Sequence, residues 1–180
     1  MTHDVVAVFG AHPDDVELSA SGTLLKNIKN GKTAGIVDLT KGELGTRGTP
    51  ALRDKEAKEA ARILGVQFRD NLKMEDGFFR VEKKNILKVI QKIRQYRPQV
   101  VLAPALNDRH PDHGRAAQLI AEATFLSGLR KVETRLGGKK QDAWRPAVLY
   151  HYIQYRKLKP DFAVDITSNM ERKMESIMAF

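Results

Sequence analysis

Two short stretches of the chain gather side chains that bind cations and move protons. The first reads Ala11-His12-Pro13-Asp14-Asp15, the second Asn107-Asp108-Arg109-His110-Pro111-Asp112-His113. Together they hold three of the five histidines. Neutral imidazole and carboxylate are the ligands a divalent cation such as zinc takes when thiolate is absent, and the chain contains no cysteine. Three protein ligands with one open position leave room for a water, whose pKa zinc lowers toward ~7. A proline in each stretch, Pro13 and Pro111, stiffens the backbone that would carry the ligands. Each stretch also has a plainer reading. An Asp after a strand commonly caps the next helix, so Asp14 or Asp15 could do only that. A His-x-x-His pair is often a solvated turn. Convergence of both stretches on one edge of the fold favours a metal site, and two His with one carboxylate suit ferrous iron as well as zinc.

The elements that must position these residues can be read from hydrophobic pattern. Val5-Val6-Ala7-Val8-Phe9 is a continuous apolar run ending at Gly10, the signature of a strand buried on both faces. Leu18, Gly22, Leu25 and Ile28 predict one helix closed by Asn30-Gly31. A second strand follows over 33–39, then a glycine-rich loop over 40–50. Ala57, Ala60, Ala61 and Leu64 mark a helix over 51–64. A short strand over 66–72 leads to a loop at Asp76-Gly77. Ile86, Val89, Ile90 and Ile93 predict a helix ending before Pro98, and Val100-Val101-Leu102-Ala103 another buried strand. Residues 113–127 read as helix. This alternation predicts an α/β fold: a mostly parallel, Rossmann-like sheet with helices on both faces, in a single domain. Ligands in such sheets bind beyond the carboxyl ends of the strands. The loops after Gly10 and after Pro104 lie there.

Composition narrows the class of function. With 180 residues, 42% of them hydrophobic, the chain can bury a substantial core, and no apolar run approaches the ~20 residues of a membrane span. The start, Met1-Thr2-His3-Asp4, lacks the order of a secretory signal, and the absence of cysteine suits a cytoplasmic protein. His3 is expected at the surface. The net charge is +9. Seven of those charges fall between Ser127 and Pro160, where nine basic residues face only Glu133 and Asp142. Near the end, Met170, Met174, Ile177 and Met178 form an apolar helical stripe with no cap before Phe180, the pattern of a chain whose C-terminal part is missing.

The A-H-P-D-D loop after the first strand, followed about a hundred residues later by His110-Pro111-Asp112-His113, resembles the LmbE/PIG-L family of metal-dependent N-acetylglucosamine deacetylases. Residues 38–48 and Arg53 look most like its bacillithiol-pathway branch. The resemblance runs through most of the chain, including Tyr150-His151-Tyr152 and Val164-Asp165-Ile166-Thr167. It implies that His12, Asp15 and His113 are zinc ligands and Asp14 the general base acting on the metal-bound water. It further implies that His110 stabilises the oxyanion and protonates the leaving amine, oriented by Asp112. Glu43 would accept sugar hydroxyls, and Arg53 or Arg109 would pair with a carboxylate such as a malate aglycone. Arg47 lies in the same loop and reads equally well as a surface charge. The implied partner is a small anionic N-acetylated glycoside of GlcNAc-malate type, in a cytoplasmic homo-oligomer that engages neither membrane nor nucleic acid.

Three other readings compete with this one. The same site could act on another N-acetylated sugar or amide. The basic 128–159 segment, with Trp144, Tyr150, Tyr152 and Tyr155 interleaved, could bind nucleic acid by stacking, although no recognised motif accompanies it. A dinucleotide site is disfavoured because Gly10-Ala11-His12-Pro13 is no Gly-x-Gly-x-x-Gly cradle. With neither a cysteine nor a Gly-x-Ser-x-Gly elbow, an acyl-enzyme route has little support.

Overall fold

The computed structural model describes residues 4–180; His3 lies outside them. Five parallel strands form one sheet: β1 (Val5–Gly10), β2 (Thr33–Thr40), β3 (Phe68–Met74), β4 (Val100–Pro104) and, after a two-stranded hairpin of β5 (Arg135–Leu136) and β6 (Lys139–Lys140), β7 (Val148–Tyr152). Their spatial order is β3-β2-β1-β4-β7. The chain winds outward from β1 through β2 to β3, then returns to place β4 on the other flank of β1. That reversal opens a crevice between the carboxyl ends of β1 and β4, where doubly wound sheets bind ligands. Both candidate loops emerge there.

Successive residues of β1 point to opposite faces. Val6 and Val8 enter a core with Val16, Leu24, Leu25, Ile36 and Leu64. Ala7 and Phe9 enter the other, with Leu39, Ile90, Ile93, Leu119 and Ile120. The helices α1 (Asp15–Ser19), α2 (Ser21–Lys29) and α3 (Pro50–Leu64) contribute to the first layer; α4 (Lys83–Tyr96) and α5 (Pro111–Leu126) cover the second. The α/β class and the sheet with helices on both faces agree with the sequence.

Several local expectations change. The single helix predicted after β1 is two, because Ala20 leaves the helical path at φ −115°, ψ −6°. Lys173 from α6 (Met170–Ile177) explains the break: its Nζ donates to the carbonyls of Glu17 and Leu18, each at 2.8 Å, and so closes α1. Leu18 is 54% exposed, on the cavity wall rather than in the buried stripe it was assigned to. The stripe of α6 is also reversed. Lys173 and Ser176 are buried, while Met170, Met174 and Met178 are exposed. Polar satisfaction of α1 decides which face of α6 packs.

The basic segment separates into two regions. Trp144 donates to Pro98 O, 2.8 Å away, and Ala147 N to Gln99 O, which places residues 135–147 where β4 begins. Arg156 donates to Asn107, 2.7 Å away, where β4 has ended. The run of charge is therefore divided, with Arg156 at the opposite end of β4 from the residues around Trp144. Among the described residues no helix is long and apolar enough to cross a membrane.

Candidate metal centre

The first loop is held by β2. Thr40 donates to Ala11 O through both its backbone N–H, 3.0 Å, and its hydroxyl, 2.9 Å. The chain then turns so tightly that Asp14 adopts φ +113°, in the left-handed region that non-glycine residues rarely occupy. Asp14 stands at the N-cap of α1, yet its side chain makes no capping hydrogen bond. The capping alternative therefore does not describe it. Its carboxylate is on the wall of a cavity of about 580 Å³. Burial, reinforced by the neighbouring Asp15, pushes its pKa up to about 7 against the pull of Arg53 and His12.

Asp15 turns the other way. Its Oδ2 accepts the His12 backbone N–H at 2.9 Å and lies 3.5 Å from His12 Nδ1; its Oδ1 lies 3.1 Å from His113 Nε2. Burial alone would raise its pKa, but the His113 and His12 contacts hold it well below the usual carboxylate range. The remaining ring nitrogens are engaged by further carboxylates. His12 Nε2 lies 3.0 Å from Asp76 Oδ1 and 3.2 Å from Asp112 Oδ2, and His113 Nδ1 lies 2.7 Å from Asp108 Oδ2. Burial opposes a charge on His12, yet Asp112, Asp15 and Asp76 outweigh it and bring its pKa up to about 10. His113 is shifted upward by Asp15 and Asp108, again against burial. So strong a preference for positive charge in a buried imidazole reports a negatively charged niche, the electrostatic condition for holding a cation.

His110 is the N-cap of α5, and its Nδ1 accepts the Asp112 backbone N–H at 3.2 Å. Burial lowers its pKa, and the two neighbouring histidines lower it further. The favoured ring is neutral, with Nδ1 as acceptor and the proton on Nε2. Asp112 thus meets His110 through its backbone, whereas its carboxylate, expected to orient that ring, holds His12 instead. Gly77 N donates to Asp112 Oδ2 at 2.8 Å, and Arg115 Nη2 lies 2.6 Å from Asp112 Oδ1. One nitrogen each from His12, His110 and His113 fall within 4.8 Å of one another, as do donor atoms of His12, Asp76 and Asp112.

The structure brings His12, Asp14, Asp15, His110, His113, Arg53 and Arg109 onto one cavity wall, with Asp112 buried behind it. Arg53 packs its guanidinium against the glycine-rich loop. A Cβ on Gly42 would come within 2.5 Å of Arg53 Nη1, and one on Gly45 within 2.7 Å of Nη2. Arg109 lies over the Tyr155 ring, 4.6 Å from its centroid. Glu43 and Arg47 are absent from the wall. Glu43 accepts the Lys41 and Asp76 backbone N–H groups at 3.2 and 3.0 Å, pinning the loop rather than facing a ligand. Asp76 and Gln154 escape sequence reasoning: the Asp76-Gly77 pair signals only a turn, and a lone glutamine after a strand signals nothing. Asp108 lies inside the second stretch, where the sequence assigns it no part. His151 hydrogen-bonds Pro104 O at 2.7 Å outside the cavity wall.

Comparison with known proteins agrees with this architecture. A diacetylchitobiose deacetylase from Thermococcus kodakarensis is 29% identical over 178 residues, 92% of this chain and 65% of its own length. A probable N-acetyl-alpha-D-glucosaminyl L-malate deacetylase 2 from Bacillus anthracis is 33% identical over 133 residues, 66% of this chain and 58% of its own. The chain thus spans roughly three fifths of the length of these curated relatives. The crystal structure of the conserved protein TT1542 from Thermus thermophilus superposes with a TM-score of 0.89 at 40% identity, covering 98% of this chain and 77% of that one. The family model for GlcNAc-PI de-N-acetylase (PIG-L) matches residues 7–124, a span that includes both carboxylate–histidine loops, and the chain belongs to that family.

Proposed function

We propose that the chain hydrolyses the acetamido group of an N-acetylated sugar at a divalent metal held by His12, Asp15 and His113. One observation carries the reading. His12 Nδ1 and His113 Nε2 both face Asp15, while a carboxylate engages the far nitrogen of each ring. That is the outer-shell arrangement that orients metal-binding histidines. The donor set, two imidazoles and one carboxylate, suits zinc or ferrous iron. When bound there, such a cation lowers the pKa of water and polarises an acyl oxygen.

The other residues have defined tasks. Asp14, with a pKa near 7, takes the proton of the attacking water on a carboxylate oxygen and returns it to the departing nitrogen, so acetic acid and amine leave, ionising to acetate and ammonium, and Asp14 ends as it began. His110, neutral with Nε2–H, donates a hydrogen bond to the developing oxyanion. Its tautomer makes it a poor source of the amine's proton, which leaves that task to Asp14. Arg53 and Arg109 on the same wall favour an anionic aglycone, and the similarity to a GlcNAc-malate deacetylase supports a substrate of that type in bacillithiol-like chemistry. This reading makes the protein a cytoplasmic enzyme of a small-molecule pathway, in a homo-oligomer and without a nucleic-acid partner.

The test is metal analysis of the purified chain combined with acetate release from GlcNAc-malate and from neutral GlcNAc glycosides. Asp14→Ala and His113→Ala are the controls. Metal-dependent release that both substitutions abolish is the expected result. Undiminished release from metal-free protein would sink the mechanism. Preference for neutral glycosides would remove the anionic aglycone while keeping the deacetylase.

A further inference from the structure

We infer that Gln154 is a positioning residue for the metal: it holds Asp15 in ligating orientation, while the residues that follow it grip the second metal-binding loop. The inference rests on the metal reading above and adds a residue from a third part of the chain. Gln154 follows β7, and its Nε2 donates to Asp15 Oδ1 at 2.9 Å. The opposite oxygen of Asp15 accepts the His12 backbone N–H. The carboxylate is therefore gripped from both sides, which fixes its plane before any cation arrives. The reversed amide would set Gln154 Oε1 against Asp15 Oδ1, oxygen against carboxylate, so the orientation with Nε2 inward follows from the charge.

The other end of the amide speaks against a mere packing role. Gln154 Oε1 is buried and has no hydrogen-bond partner among the described residues. A buried carbonyl left unpaired opposes folding. A side chain selected only for packing would have no reason to carry that cost. Its neighbours grip the second loop. Arg156 N donates to Asp108 Oδ1 at 3.3 Å, Arg156 Nη1 donates to Asn107 Oδ1 at 2.7 Å, and the Tyr155 ring lies beneath Arg109. Asp108 in turn engages His113. Gln154 thus reaches one metal ligand directly, and Arg156 reaches another through Asp108.

Outer-shell partners of a metal typically change its affinity by about 10–100-fold when removed. The experiment measures zinc dissociation constants of metal-free wild type, Gln154→Ala and Gln154→Leu by competition with a chromophoric chelator, alongside urea unfolding of the same metal-free proteins. Leu keeps the apolar bulk and deletes the amide, so it reports on the hydrogen bond if Ala perturbs packing. The expected result is zinc binding weakened at least tenfold in both variants, with little change in the metal-free urea midpoint. Unchanged zinc affinity overturns the inference, as does a loss matched by a fall in metal-free stability, because a merely structural role would produce that. A wild-type chain that takes no zinc removes the metal reading itself and this inference with it; wild-type binding that the variants retain removes the inference alone.

Discussion

Beneath the candidate centre, three charged residues are buried together, and replacing Arg69 by Met tests what they do. Arg69 of β3 donates to Glu17 Oε1 at 2.6 Å and to Asp38 at 2.9 and 3.2 Å. Glu17 lies in α1, two residues beyond Asp15, and Asp38 stands opposite Gly10 in the sheet. Glu17 is fully buried and Asp38 nearly so. The arginine thus locks the helix that begins at the candidate metal loop onto the strand that supports that loop. Removing one partner of a buried ion pair typically costs about 3–5 kcal/mol. Arg69→Met strands two carboxylates, so the upper end of that range is expected, a large share of the ~5–15 kcal/mol that holds a domain folded.

The pH dependence carries a definite sign. Burial pushes Asp38 up to about 6 even with Arg69 pulling it down. Without the guanidinium its folded pKa rises further above the unfolded value, and the protonated form is the one the fold tolerates. Stability is then lost as pH rises through that raised pKa, so the deficit of the variant is largest near pH ~8 and shrinks toward pH ~5. Equilibrium urea unfolding followed by circular dichroism at both pH values measures it. The triple variant Glu17→Gln, Asp38→Asn, Arg69→Met removes the stranded charges together and recovers most of the loss. A deficit below about 1 kcal/mol, the scale of a surface pair, or one indifferent to pH would refute the reasoning.

Three further outcomes are expected. Zinc at ~100 times its dissociation constant stabilises the chain by about 2.7 kcal/mol, read as a shift of the urea midpoint that excess chelator reverses. Gly45→Ala places a Cβ within 2.7 Å of Arg53 Nη2 and pushes the guanidinium off the cavity wall; KM for an anionic substrate rises while kcat for a neutral one is nearly kept. Gly35→Ala drives a Cβ to 2.3 Å from the Phe68 ring, which is itself stacked on Tyr96 at 3.6 Å. With no room to yield, the cost is about 1–3 kcal/mol in urea unfolding.

Much of this protein follows from local pattern. The strand β1 and the strand β4 are legible because an unbroken apolar run between turn residues can only be covered on both faces. The alternation of such runs with helical stripes determines a parallel sheet. The residue types at 12–15 and 110–113 restrict any metal site to imidazole and carboxylate, and the turn after each strand sends them to one edge. Those properties live within a few residues of sequence, where periodicity and chemistry are read directly.

Other features arise from contacts between parts of the chain with no local signature of one another. Asp112 meets His12 rather than His110 with its carboxylate because β1 and β4 are neighbours in the sheet. Glu43 turns from an expected sugar contact into a pin for the 76–77 turn. Lys173 breaks the first helix in two and thereby chooses which face of α6 is buried. Charge crowded in sequence between Ser127 and Pro160 is divided between the two ends of β4, since a strand that crosses the sheet carries its flanks to opposite edges. Gln154 reaches Asp15 across 139 positions of sequence, and no spacing rule encodes that meeting. Residue types prescribe which chemistry is available; the order in which strands pair decides which of those residues share it.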